Sequence, residues 1–442
     1  MTPPLAQVAL GWTAIDTWIV LTGMACGAAC ALVGCFLLLR KLSMMGDAIS
    51  HAVLPGLVLG FLLTGTRDPW PMLIGAVVVG VLTAYLTELV RSSGQVEEGA
   101  SMGVVFTTLF ALGLVLVVRY ADRIDLDPSC VLFGLLETVP LDTVVVAGVE
   151  LPRALAVLGG VLLLNAAVVV LLFKELKLSS FDPQAATALG IPARAMHYLL
   201  MTLTALTTVA SFEAVGSILV VAMLVVPAAT ALLLTRRLVT MLAVATVCAA
   251  GSAVLGHVAA VALPTWAGVP ATSTTGMMAV AAGLLLVGAL LLSPKEGLVV
   301  VAVRRWKLRL AEAEDDLLAT MYRDEENPDR VLRIDPLARR PLLKWWAGRS
   351  LRASGDTRPG VGGGADRLTE AGRDRARRLV RAHRLWETFL VGRVNVRPDH
   401  THRTAERLEH VTDERLREKL AEAAPGPDPM SDPQGRQIPP ER

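Results

Sequence analysis

Charge is the scarcest commodity in the first two thirds of this 442-residue chain. Of 42 Lys and Arg residues only 13 precede residue 300, and of 40 Asp and Glu residues only 16 do. Aromatic residues make up just 5% of the chain, and the five cysteines (Cys26, Cys30, Cys35, Cys130 and Cys248) show no metal-knuckle spacing. Thiolate ligation is therefore excluded as a leading theme, and these cysteines read as small core fillers. No GxxxxGK[ST] phosphate loop occurs, so the chain is not expected to hydrolyse ATP itself. The first apolar run lacks a basic leader, and no cleavable signal peptide is read there.

Long apolar runs are what the chain has instead. Hydrophobic residues make up 53% and the mean hydropathy is +0.53. Roughly 17–25 apolar residues are needed to cross a bilayer as helix. Nine runs qualify: about 15–39, 46–64, 71–90, 101–118, 154–173, 196–212, 214–234, 238–262 and 275–292. The "SFEAVG" break makes the sixth and seventh the hardest pair to separate. Arg40-Lys41, Arg91, Lys174, Lys177, Arg194, Arg236-Arg237, Lys295 and "RRWK" at 304–307 gather on one side. The opposite side holds Arg67, Arg119, Arg123 and Arg153 mixed with acids. By the positive-inside rule the N-terminus lies outside and the charged C-terminal tail in the cytoplasm. The expected fold is an all-α polytopic membrane protein of about nine helices in the plasma membrane, followed by a mostly α cytoplasmic domain. Boundaries are expected at 1–300 for the membrane part, 301–365 for a linker and degenerate winged helix, and 366–442 for a helical metal-binding and dimerisation module.

One stretch of the second run breaks the apolar pattern: "RKLSMMGDAISHAVLPG", residues 40–56. Asp47 and His51 stand four apart and so share a helix face. An ionised carboxylate inside a membrane costs at least about 2.5 kcal/mol, so such a residue faces a cavity or a partner rather than lipid. An acid with an imidazole suits Mn²⁺, Fe²⁺ or Zn²⁺. Pro55 deletes a backbone donor one turn later, and Gly56 permits close packing or a local opening. The bland alternative is a helix-end acid beside a hydrogen-bonded histidine. His197 and His257, alone in apolar runs, read as packed histidines, while Glu97, Glu98 and Glu213 stand at expected span ends.

These residues resemble the permeases of metal-ion ATP-binding-cassette importers, the manganese, zinc and iron group. The resemblance extends in order through "EEGASMGVVFTTLFALG" (97–113), "LDPSCVLFG" (126–134), "KLSSFDPQAATALG" (177–190), "VGSILVVAMLVVPAATALLL" (215–234) and "LLSPKEGL" (291–298). It implies a membrane pathway built from two permease chains, as a homo- or heterodimer, with Asp47 and His51 as transient metal ligands. Cytoplasmic ATPase subunits and an extracytoplasmic metal-binding lipoprotein are the implied partners, alongside membrane lipid. No permanently bound cofactor is expected. The segment around Phe181, Asp182, Pro183, Ala186 and Gly190 reads independently as a short helix on the basic side, suited to docking in an ATPase groove.

After residue 300 the pattern turns amphipathic and charged. "AEAEDDLLATMY" (311–322) has Leu317, Leu318 and Met321 at helical spacing, and the Gly-rich "GVGGGA" (360–365) reads as a wing turn or linker. "LTEAG" (368–372), "RAHRLWETFL" (381–390), "HRTAERLEH" (402–410) and "DPQGRQIP" (432–439) resemble the diphtheria-toxin-repressor type of metal-dependent regulator. That resemblance implies a regulatory Mn²⁺ or Fe²⁺ held by His383, Glu387, His402, Glu406, Glu409 and His410. The spacing supports chelation on its own terms: His383 and Glu387 are i,i+4, and Glu406, Glu409 and His410 are i, i+3, i+4. Nucleic-acid binding is not expected, because the region before "LTEAG" is too short for a full helix-turn-helix, although "RRPLLKWWAGRSLR" (339–352) is basic and aromatic. Two other functional classes stay open on these residues: a membrane-tethered metal-responsive transcriptional regulator, and an ion-gradient-driven metal carrier.

Overall fold

A computed structural model describes residues 12–65, 69–94, 97–120, 136–146, 148–268, 272–294, 297–327, 337–338, 340–360, 365–423 and 431–440. The external-segment motif at 126–134, Cys130 and the 361–364 tip of the Gly-rich turn lie outside those residues. The chain divides into two compact units, Met1–Val300 and Val301–Arg442.

In the first unit α1 (Ala14–Leu39) is the central helix. It starts on a capping box: the Thr13 hydroxyl accepts from the Asp16 N–H while the Asp16 carboxylate accepts from the Thr13 N–H. Its "GMACGAACALVG" run is rich in glycine, alanine and cysteine, which in a membrane lets neighbouring helices approach closely, as at Gly27 and Gly34. Cys26, Cys30 and Cys35 are all buried there, as core fillers. The second span is broken into α2 (Met45–Ala52) and α3 (Leu54–Thr64). The break follows from Pro55, whose missing N–H leaves the His51 carbonyl without its intrahelical partner. Next come α4 (Pro69–Gly94) and α5 (Glu98–Tyr120). Residues 136–141 form a 3₁₀ turn. A hairpin then pairs β1 (Thr143–Val146) with β2 (Val149–Pro152), antiparallel. The all-α reading had no strand here, yet "TVVVAGVELP" carries its signal: a β-branched run, Thr143–Val146, leading to a glycine and a further valine.

The fifth span is α6 (Arg153–Leu171), continued by α7 (Phe173–Phe181) and the short α8 (Pro183–Ala188). On α6 the buried Asn165 amide donates to the Ala29 carbonyl at 3.3 Å and to the Thr207 hydroxyl at 2.8 Å. The sixth and seventh spans run through α9 (Ala193–Leu234), interrupted by non-helical backbone at Gly216, the last residue of "SFEAVG". Then follow α10 (Leu238–Ala267) and α11 (Thr274–Leu292). Among the described residues nine helical segments are long and apolar enough to span a bilayer. His257 is buried, within 3.2 Å of Asp16 Oδ1 and 3.5 Å of the Thr274 hydroxyl. It is thus a hydrogen-bonded core histidine.

The amphipathic α12 (Leu298–Glu326) belongs to the second unit in all but its first three residues. It is followed by α13 (Pro341–Ala353) and a minimal wing, β3 (Thr357–Arg358) paired with β4 (Arg367–Leu368). Leu318, Leu351, Leu368 and Ala376 form one small core under this wing. The wing leads into α14 (Glu370–Gly392), capped by the Thr369 hydroxyl, which accepts from the Gly372 N–H. Two helices close the unit, α15 (Pro398–Glu409) and α16 (Glu414–Ala423). The terminal "DPQGRQIP" segment packs back by burying Ile438 with Leu385 and Leu420. Its Gln437 carbonyl accepts from Arg384.

Candidate functional site

Two places gather ligand chemistry. In the membrane unit, the Asp47 Oδ1 and His51 Nε2 atoms are 3.5 Å apart across one turn of α2. Their side chains are 40% and 39% exposed in the single chain, in a helix whose Met45, Ile49 and Ala52 are buried. The pair therefore faces away from the protein core without being sealed. Phe106 and Phe110 of α5 flank the imidazole, each with ring centroids 6.1 Å from it. Gly56 has a packing role: a Cβ there would lie 2.3 Å from the Gly75 carbonyl oxygen, so α3 and α4 touch backbone to backbone. Two ligands and an open side are suited to an ion that must arrive and leave.

The expected coupling segment folds as α8. The Asp182 carboxylate caps it, accepting from the Gln184 and Ala185 N–H groups at 3.1 and 2.9 Å. Pro183 occupies its first turn, where a missing donor costs nothing. Phe181 (61% exposed) and Leu189 (72%) project outward, whereas Ala186 is fully buried and anchors the helix. Gly190 closes it at φ +82°, a left-handed position that disfavours side chains.

The richer cluster is in the second unit. His383 Nε2, Glu387 Oε1 and His402 Nδ1 form a triangle with edges of 3.1, 3.1 and 3.0 Å. Two ring nitrogens carry at most two protons along three edges, so hydrogen bonding alone leaves one edge unserved. Donors bound to one first-row ion at about 2.1 Å sit roughly 3 Å apart when their directions are near perpendicular, so the spacing fits a cation. The second Glu387 oxygen is buried without a partner, an arrangement that costs on the order of 1–3 kcal/mol and that a bound cation would relieve. Burial of His383 opposes its positive charge, but the Glu387 and Glu409 carboxylates outweigh that and raise its pKa. Burial of Glu387 raises its pKa in turn, and the two histidines outweigh it, holding the carboxyl far below its usual range.

Glu409 Oε2 lies 2.5 Å from His383 Nδ1 and also belongs to a second group with Asp316 and His410, whose ligand atoms lie within 4.8 Å of one another. His410 Nδ1 is 3.4 Å from Asp315 and its Nε2 is 3.4 Å from Asp316. Those two carboxylates raise its pKa to about 10. Of the six expected ligands, five fall into these two groups. Glu406, half-buried on α15, belongs to neither. Asp315 and Asp316 were missed by the sequence reading. Their signal was the adjacent acid pair in "AEAEDDLLATMY", on the helix whose leucines build the core.

Residues 15–293 match the ABC 3 transport family, and residues 369–440 match the iron dependent repressor, metal binding and dimerisation domain. The manganese transport system membrane protein MntD of Bacillus subtilis is 44% identical over 299 residues, covering 67% of this chain and 99% of that one. The zinc transport system membrane protein TroD of Treponema pallidum is 40% identical over 281 residues, covering 64% and 75%. Among solved structures, PsaBC from Streptococcus pneumoniae in complex with Fab is similar, with TM-score 0.54, 30% identity, and coverage of 66% of this chain and 97% of that one.

Proposed function

The chain belongs to the ABC 3 transport family, and from that premise we propose that it is the transmembrane subunit of an ATP-driven importer of divalent transition metal ions, Mn²⁺, Fe²⁺ or Zn²⁺, with a cytoplasmic metal-sensing tail. The observation that carries the transport reading is the open Asp47–His51 pair on a proline-broken span. A carboxylate and an imidazole hold a borderline cation well enough to select it, and two ligands from one chain are few enough to release it. A second permease chain supplies the rest of the coordination when the two pathways face each other. An external metal-binding lipoprotein delivers the ion, and two cytoplasmic ATPase subunits dock on α8 through Phe181 and Leu189.

The tail reading rests on the His383–Glu387–His402 triangle and on Glu409, which joins it to Asp316 and His410. These residues would hold a regulatory Mn²⁺ or Fe²⁺, which supplies a charge that draws α14, α15 and α12 together. Filling them when cytosolic metal is plentiful slows transport. Acid-rich donors favour manganese or iron for this regulatory ion.

The test is reconstitution of the full chain with its ATPase partner in proteoliposomes. Mn²⁺ accumulation that needs ATP and ignores dissipation of ion gradients is the expected result. Accumulation driven by a proton gradient without the ATPase would overturn the proposal.

A further inference from the structure

The motif that carries Asp47 begins with an arginine the transport reading leaves without a role. Arg40 is half-buried at the end of α1, where it is the C-cap. Its guanidinium reaches across 140 residues of sequence to the last turn of α7: Nε donates to the Ser180 hydroxyl at 3.0 Å and Nη2 to the Ser179 hydroxyl at 2.8 Å. Both hydroxyls in turn donate to the Leu176 carbonyl of α7, at 3.3 and 2.6 Å. The cation thus sits between the C-terminal ends of two helices, where the helix dipoles favour positive charge. Ser180 is two residues from Asp182, the cap of α8.

The other side of Arg40 leads directly to the metal pair. The Lys41 N–H donates to the Leu38 carbonyl at 3.0 Å and the Leu42 N–H to the Leu37 carbonyl at 2.8 Å. This is a Schellman closure, with Lys41 at φ +63°, a position that glycine usually fills. Leu42 is buried, and its carbonyl accepts from the Met45 N–H that opens α2. The connection between α1 and α2 is therefore tied by backbone hydrogen bonds at Arg40, Lys41, Leu42 and Met44. Asp47 lies seven residues from Arg40 along this turn.

We propose that Arg40 is a positioning residue that transmits movement of the α7–α8 segment to the Asp47–His51 pair, through its bonds to Ser179 and Ser180. The inference rests on α8 being the ATPase contact. Its described hydrogen bonds go to neutral hydroxyls, so they can be remade as the helices shift, which a buried ion pair resists. The planar fork is what makes two bonds in two directions, and a lysine at this place cannot reproduce both.

The experiment compares Arg40→Gln, Arg40→Lys and the double variant Ser179→Ala with Ser180→Ala, each as the full chain reconstituted with its ATPase partner. It reads assembly, ATP hydrolysis and Mn²⁺ moved per ATP. A coupling link predicts hydrolysis within about twofold of wild type, but at least about fivefold fewer ions per ATP in Arg40→Gln and the serine double variant, with Arg40→Lys between. An unchanged ion-to-ATP ratio overturns the proposal, and so does a proportional loss of both activities, which marks a structural tie alone. If Arg40→Gln fails to assemble, the serine double variant decides, since it removes the acceptors and leaves the arginine. A separate variant, Phe181→Ala with Leu189→Ala, is read by copurification of the ATPase. Retained binding there breaks the docking reading itself, independently of the ratio.

Discussion

The membrane pair and the tail triangle use the same two residue types, at the same i,i+4 spacing, in different surroundings. In α2 the acid and the histidine are 3.5 Å apart and about two-fifths exposed. In α14 the equivalent pair, His383 and Glu387, is 3.1 Å apart and only 1% and 0% exposed, with His402 and Glu409 closing around it. Spacing alone puts each acid beside its histidine on one helix face. The two differ in enclosure: the membrane pair is part-exposed in the single chain, while His383, Glu387 and Glu409 are buried, with one Glu387 carboxylate oxygen unpartnered and His402 half-exposed at the edge. Under the proposed function, that difference separates a pair that passes an ion on from a pair that holds it.

The contrast breaks most readily by removing one member of the open pair. Asp47→Ala or His51→Ala is expected to cut Mn²⁺ uptake by at least about a hundredfold, because even the outer partners of a bound metal cost roughly 10–100-fold when lost. The complex should still assemble and the tail should bind as much metal as before. Normal uptake in both variants would assign the pair to structure. The mirror experiment is Glu387→Gln, which keeps the shape but removes the charge. Tail affinity for Mn²⁺, followed by calorimetry on the full chain, should fall about 10–100-fold while uptake at limiting metal is unchanged. A fall in uptake at limiting metal would mean that the two sites are not separate in function.

A smaller effect tests whether the sensor speaks to the pathway at all. Deleting 310–442 should raise uptake in metal-replete cells about fivefold, the low end of what coupling free energies produce. Identical uptake in replete cells with and without the tail sinks the feedback reading. The mildest expected change is with pH. His410 is held up to about 10 by Asp315 and Asp316. Its charged form therefore contributes stability in full below its ordinary value of about 6.5. That contribution is lost as pH rises through about 10. An ion requires the neutral imidazole, so its binding expels a proton and its affinity climbs across the same window. Calorimetric titrations of Mn²⁺ in two buffers of different ionisation heat measure that proton, and its absence at neutral pH would remove His410 from the ligand set.

Much of this was legible in the chain because its causes are local. Apolar run length sets the spans, so the nine segments agree with the runs read from hydropathy. Pro55 fixed where the second span breaks, and Asp182 with Pro183 fixed where α8 begins. Helical spacing put His383 beside Glu387 without any knowledge of the fold. Less was legible where the partners are far apart. Glu406 has the same helical credentials as Glu409, three residues on, yet α15 packs so that Glu409 joins Asp316 and His410 and also touches His383, while Glu406 enters neither ligand group.

Sequence by itself determined that this chain spans a membrane, where its acid–histidine pair interrupts a span, and which acids and histidines of the tail share a helix face. Tertiary structure alone decided which of those side chains meet. It set Asp316 on α12 beside His410, joined the two tail groups through Glu409, and brought Arg40 to Ser179 and Ser180. The physical reason is range. Hydropathy and helical periodicity act over a turn or a bilayer's thickness and are written into neighbouring residues. Which helix faces which depends on close packing among segments separated by scores of residues, and no local pattern carries that information.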